Sequence, residues 1–113
     1  MNRFTKRTGM GISSLLFCVA FGLLALPMQG QGGGDALYKS KCAGCHGADG
    51  KGQTAMGKAN NIRDLGSADV QAQTDDAIAG IIGNGKGKMP AYGKSLKPDQ
   101  IKDLVTYIRT LKK

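Results

Sequence analysis

A chain of 113 residues has room for one small domain, and its 16 Lys and Arg outnumber 8 acidic residues for a formal net charge of +8. With no Trp, three Phe and 18 Gly, its own side chains supply little interior, which excludes a large multidomain machine and leaves only a small core. No nucleic-acid recognition motif accompanies the positive charge, so nucleic acid is not an expected partner.

The first segment reads as a leader. Asn2 to Arg7 carries the basic residues Arg3, Lys6 and Arg7, and Gly9 to Leu26 is uncharged and mostly apolar. Pro27 and small or polar residues follow, the layout of a secretory signal. Residues 1–32 are therefore expected to be a signal peptide, with cleavage between about Ala25 and Gly33, where Gly30-Gln31-Gly32 places small residues at both recognition positions. The alternative is an uncleaved anchor formed by residues 9–26, which would hold the chain to the outer face of the cytoplasmic membrane, because the uncharged run from Thr8 to Gly34 is long enough to span a bilayer. Either way the remaining domain, 33–113, lies in an exported, oxidising compartment such as the periplasm. Cys18 reads as an ordinary apolar residue of the leader. Without the three leader cations, 13 basic residues face 8 Asp, a balance of about +5 that favours acidic partners or anionic surfaces.

Asp35 to about Lys41 is expected to form a helix, with Ala36, Leu37 and Tyr38 as packing residues. It leads into Cys42-Ala43-Gly44-Cys45-His46, the most informative segment of the chain. Residues three and four apart share a face of a helical turn. Cys42 and Cys45 can therefore add to the two vinyl groups along one haem edge, with His46 held beneath the iron as an axial ligand. This spacing is a c-type haem attachment signal. Thioether formation would also keep both thiols from becoming a disulfide. One covalent haem c would supply the apolar bulk that the side chains lack.

Gly47 to Gly52 breaks any helix, and Thr54 to Leu65, which has no steady period, is expected to be a loop. Ser67 to Val70 resembles a cap and a short helix. Thr74 is a better cap, followed by Asp75 and Asp76 in the first turn. Ala77, Ile78, Ile81 and Ile82 follow at helical spacing, and Gly83 is placed to end that helix. Gly83 to Lys88 is a basic, Gly-rich loop. Pro98 opens the last helix, in which Ile101, Leu104, Val105, Ile108 and Leu111 form one apolar stripe with Tyr107 beside it. No alternating run predicts a sheet.

His46 is the only histidine, so a second axial ligand must be of another type. A Met thioether suits low-spin iron and raises its potential. Beyond the leader, Met56 and Met89 are both available, and reach excludes neither. Met89 lies between the Gly-rich loop and the stiffening Pro90.

The segment from about residue 34 to 113 resembles the class I cytochromes c, especially the short bacterial and photosynthetic electron carriers. The resemblance rests on Gly34 and Tyr38 before Cys42-Ala43-Gly44-Cys45-His46-Gly47, then Gly50 and Gly52, then Asn84-Gly85, Gly87 and Met89-Pro90, and finally Tyr107-Ile108-Arg109. It implies an all-α fold of three to five short helices around one covalent haem, with the first and last helices crossing near Gly34 and Tyr107. It also implies Met89 as the sixth ligand and leaves Met56 to pack in the haem loop. Many members carry a Pro after the haem motif whose carbonyl accepts the axial His N–H. No Pro lies between His46 and Met89 here, so a backbone carbonyl in the Gly50 to Gly57 loop is expected in that role. Asn60, Asn61 and Arg63 are candidates to bond propionates or the Met sulfur.

Rival readings lack ligands. A structural zinc site wants four N or S donors, and only Cys42, Cys45 and His46 are at hand. Thioredoxin-like chemistry wants a βαβ pattern, which is absent. Haem catalysis or gas sensing needs an open iron position, which Met89 would fill, leaving Arg63 and Arg109 as the remaining donors. The expected activity is therefore one-electron transfer by a monomeric carrier, not an enzyme, between redox proteins with acidic docking surfaces. Lys39, Lys51, Lys86 and Lys88 are the expected steering charges.

Overall fold

The computed structural model describes residues 32–113. The leader expected over 1–32, and its alternative as an anchor over residues 9–26, lie outside the described residues apart from Gly32. Six helical segments follow one another: α1 (Gly32–Lys41), α2 (Ala43–His46), α3 (Ala55–Ala59), α4 (Ala68–Gln71), α5 (Asp75–Asn84) and α6 (Pro98–Thr110). No strand occurs among the described residues, where the only β feature is an isolated bridge between Lys86 and Met89. The expected all-α class holds. None of the described helices is long and apolar enough to cross a membrane.

The segment count exceeds the expected three to five because α2, α3 and α4 are single turns of four or five residues. The expected loop from Thr54 to Leu65 contains α3. Its cause is local: the Thr54 hydroxyl accepts the Gly57 N–H at 2.8 Å and donates to the Cys45 carbonyl at 2.6 Å. A capping side chain can hold one turn that has no apolar period to announce it. Helix α5 runs through Gly83 to Asn84, and Gly85, with φ of 76°, ends it while its N–H donates to the Ile81 carbonyl at 2.9 Å.

The core forms where α1 crosses α6. A side chain at Gly34 would collide with the Asp103 carbonyl, so the two backbones approach as closely as glycine allows. One turn on, the rings of Tyr38 and Tyr107 lie 4.8 Å apart at 41°. Tyr38 and Leu104 are fully buried, and Ile78, Ile82, Leu96, Val105 and Ile108 complete the cluster. The predicted α6 stripe thus faces inward.

Arg109 ties the far end of α6 to the start of α5. Its guanidinium donates to the Gln71 carbonyl at 2.9 Å, the Gln73 carbonyl at 2.6 Å and Asp75 Oδ1 at 2.7 and 2.9 Å. Gln71 in turn donates to the carbonyls of Leu65 and Ile108 at 2.8 and 3.0 Å. Arg109 is occupied by this structural tie and is not a free donor for a bound ligand.

Candidate haem-binding site

The attachment motif is held turn by turn. The Cys42 carbonyl accepts N–H groups from Cys45 at 3.2 Å and His46 at 2.9 Å, so α2 brings Cys42, Cys45 and His46 to one face. Gly47, with φ of 82°, ends the turn in a conformation that L side chains rarely adopt. Its carbonyl accepts the Tyr38 hydroxyl at 2.7 Å in a buried bond. The Gly52 N–H takes the His46 carbonyl at 2.7 Å, and Thr54 takes that of Cys45. Helix α1 before the motif and the loop after it thereby fix its orientation.

Cys42 and Cys45 are free thiols, both half-buried. Burial, then the neighbouring Cys45, pushes the Cys42 thiol up. Burial also holds the His46 imidazole below its ordinary value, which keeps the neutral, metal-ligating form. His46 Nδ1 is buried with no hydrogen-bond partner among the described residues.

This corrects the expectation that a Gly50 to Gly57 carbonyl accepts the His46 N–H. Within that loop the Gly50, Thr54, Met56 and Gly57 carbonyls accept the N–H groups of Leu65, Lys58, Asn60 and Ile62 at 2.8, 2.9, 3.1 and 2.9 Å, and no carbonyl of the loop is a partner of His46 Nδ1.

Two cavities, of about 280 and 380 Å³, open on either side of this turn and share Cys42, His46, Ile62, Lys86 and Met89. Together they fall within the roughly 300–1,000 Å³ of ligand clefts. The first is walled by Ile78, Ile82, Leu104 and Ile108 and edged by Asn61, Arg63 and Gln73. Asn61 sits at φ of 51°, a left-handed corner that Asn tolerates. The second includes Cys45, Met56, Asn60, Lys41, Lys88 and Tyr92. Two thiols, a half-buried imidazole whose buried Nδ1 is unsatisfied, a thioether and an apolar wall suit a haem.

The segment carrying Met89 is stapled to the end of α5. Lys86 and Met89 exchange backbone bonds of 3.2 and 3.0 Å, Tyr92 N–H reaches Ile82 O at 3.0 Å, and Gly93 N–H reaches Gly83 O at 2.9 Å. A Cβ on Gly85 would meet Met89 O at 2.7 Å and Ala91 N at 3.0 Å, so the reversal needs glycine in both space and φ.

The sequence-predicted residues divide. Cys42, His46 and Met89 border both cavities, Cys45, Met56 and Asn60 the second, and Asn61 and Arg63 the first. Of the expected steering lysines, Lys86 and Lys88 stand at its rim, whereas Lys39 pairs with Asp35 at 2.9 Å, and neither Lys39 nor Lys51 lines it. Lys41, Ile62, Gln73 and Tyr92 were not foreseen. Only the aromatic ring of Tyr92, three residues after Met89, offered a sequence signal.

A helical shell around an apolar cleft with a Cys-x-x-Cys-His turn at its mouth defines a small haem-binding redox protein. Residues 31–108 match the family model described as cytochrome C oxidase, cbb3-type, subunit III, and the chain belongs to this class I cytochrome c family. Cytochrome c6 of Gloeothece citriformis is 41% identical over 78 residues, covering 68% of this chain and 67% of that protein. The cbb3-type cytochrome c oxidase subunit FixP of Azorhizobium caulinodans is 37% identical over 79 residues, covering 69% of this chain but 26% of FixP. Among solved structures, the KustC0563 c-type cytochrome matches with a TM-score of 0.67 and 34% identity, covering 71% of this chain and 98% of that one. The chain is accordingly an electron-transfer protein rather than an enzyme, carries one covalent haem c and exchanges electrons with other redox proteins.

Proposed function

We propose that Cys42 and Cys45 hold the haem through thioethers, that His46 and Met89 are its axial ligands, and that residues 33–113 act as a monomeric carrier outside the cytoplasmic membrane once the leader 1–32 is removed. The observation that carries this reading is that Cys42, His46 and Met89 all border both cavities. When bound, haem supplies a one-electron ferrous–ferric couple, whose potential His/Met ligation raises.

The chain's own residues do the rest. Burial keeps His46 neutral for ligation. The Lys86–Met89 bridge fixes the backbone under the thioether, so little needs to move when the charge changes. The isoleucine and leucine wall excludes water from one side. On the other side Lys41, Lys86 and Lys88 are exposed, and Met56 is the one exposed large hydrophobic residue among the described residues, at 54%. That combination of an apolar contact and flanking cations fits a redox partner with an acidic surface.

The test is an absorption spectrum of protein made with c-type haem maturation machinery. Low-spin bands on reduction and the weak red ferric band of sulfur–iron bonding are expected, and Met89→Ala should abolish the red band while Met56→Ala keeps it. A high-spin wild-type spectrum would contradict the ligand assignment. For docking, reduction rates with an acidic partner should fall with ionic strength, less steeply in a Lys86→Gln/Lys88→Gln variant.

A further inference from the structure

The geometry points to Tyr92 as a positioning residue, its hydroxyl acting as a strap that joins the Met89 segment to the haem-attachment segment and holds Met89 in place. The inference rests on Met89 being an axial ligand. The Tyr92 hydroxyl donates to the Lys41 carbonyl at 3.1 Å, across 51 residues of sequence. Lys41 ends α1 and directly precedes Cys42. The other hydrogen bonds that anchor residues 85–93 run within the segment, to α5 or to the turn that follows: Lys86 with Met89, Gly85 to Ile81, Tyr92 N–H to Ile82, Gly93 to Gly83, and Ser95 and Leu96 to the Tyr92 carbonyl. Those bonds fix the segment's shape and its attachment to α5, yet none ties it to the turn that carries Cys42, Cys45 and His46. Tyr92 alone makes that link by a hydrogen bond among the described residues.

Position explains why the link matters. Tyr92 and Lys41 both border the second cavity, as do Cys45, His46 and Met89. The strap therefore closes a ring around that cavity: α1, the attachment turn, the cavity, Met89 and Tyr92. Without it, no hydrogen bond joins the attachment turn to the Met89 segment among the described residues. The phenol ring is half-buried, and its backbone N–H is independently fixed on Ile82. Tyr92→Phe therefore deletes the hydroxyl while keeping the ring's packing.

Stopped-flow displacement of Met89 by imidazole, followed on ferric holoprotein through the sulfur–iron band, tests the strap. Tyr92→Phe should retain the band at rest but lose Met89 to imidazole roughly threefold to tenfold faster, the range set by one neutral hydrogen bond. Asp64→Asn, a change at a side chain that bonds Lys113 and Gly66 and lines neither cavity, should leave the rate unchanged. Amide exchange should accelerate at Tyr92 and Gly93 in the Phe variant while α1 and α6 amides hold; uniform acceleration through α1 and α6 would overturn the strap. An unchanged displacement rate with the wild-type band present overturns the strap alone. A wild-type ferric spectrum with no such band overturns the Met89 assignment and the strap with it.

Discussion

The two sides of the cavity are built differently. On the side of α1, α2 and α6, the polypeptide completes its own interior: Tyr38 and Leu104 are fully buried, Gly34 lets two backbones touch, and the haem motif is oriented by hydrogen bonds from Tyr38, Gly52 and Thr54. On the side of α3 and the Met89 segment, the chain contributes Met56, exposed at 54%, and a half-buried Met89 held mostly by backbone bonds. All three Phe of the chain fall in residues 1–31, so no Phe closes this side, which is lined instead by Met56, Ile62, Met89 and Tyr92. The comparison teaches that the helix crossing is a preformed scaffold and that the opposite wall is finished by the cofactor.

Substitutions at the scaffold should therefore have the larger effects. The largest is expected for Gly34→Val, which drives a branched side chain into the Asp103 carbonyl and the Tyr107 Cβ. Thermal unfolding should show a loss of about 3 kcal/mol or more, or no accumulated holoprotein. Tyr38→Phe comes next. It strands the buried Gly47 carbonyl at the end of the haem turn, at a cost of about 1–3 kcal/mol by chemical denaturation. In contrast Gly80→Ala, where a Cβ meets nothing within 4 Å, should raise stability by about 0.5–1 kcal/mol, the gain of replacing a mid-helix glycine. An equal loss at Gly34 and Gly80 would erase the distinction between a crossing glycine and a spare one.

The smallest effect is expected at Asp64, whose carboxylate is held below its ordinary value by the Lys113 ammonium and then by the Gly66 N–H. A depressed folded-state pKa gives a stabilisation that is present above the ordinary carboxylate value near about 4 and is lost as pH falls below it. Asp64→Asn should remove that small acid-side slope and leave the neutral-pH spectrum unchanged, as followed by unfolding between acid and neutral pH. This pair joins the C-terminal Lys113 to the loop before α4, and neither residue lines either cavity.

The scaffold was also the more legible part in the sequence. The α6 stripe, the Thr74-capped α5 and the Cys42 to His46 turn are local patterns, in which spacing alone names the face. Helix α3 escaped because a single Thr54 cap, not a period, creates it. The Arg109 tie to Gln71, Gln73 and Asp75 joins residues 34 to 38 apart, and the Tyr92 bond to Lys41 spans 51. No periodicity records pairings of that range. The missing acceptor for His46 was invisible for a related reason: whether a carbonyl is free depends on Leu65 and Ile62 folding back to claim it. Lys39 pairs with Asp35 one turn before it, an i,i+4 spacing that the expected helix from Asp35 to Lys41 already contained.

The most direct test of a cofactor-completed wall is denaturing mass spectrometry of the matured protein combined with thiol alkylation. The account predicts a polypeptide that keeps the mass of one haem after unfolding, with neither Cys42 nor Cys45 open to alkylation. A bare polypeptide mass with both thiols alkylated would contradict it.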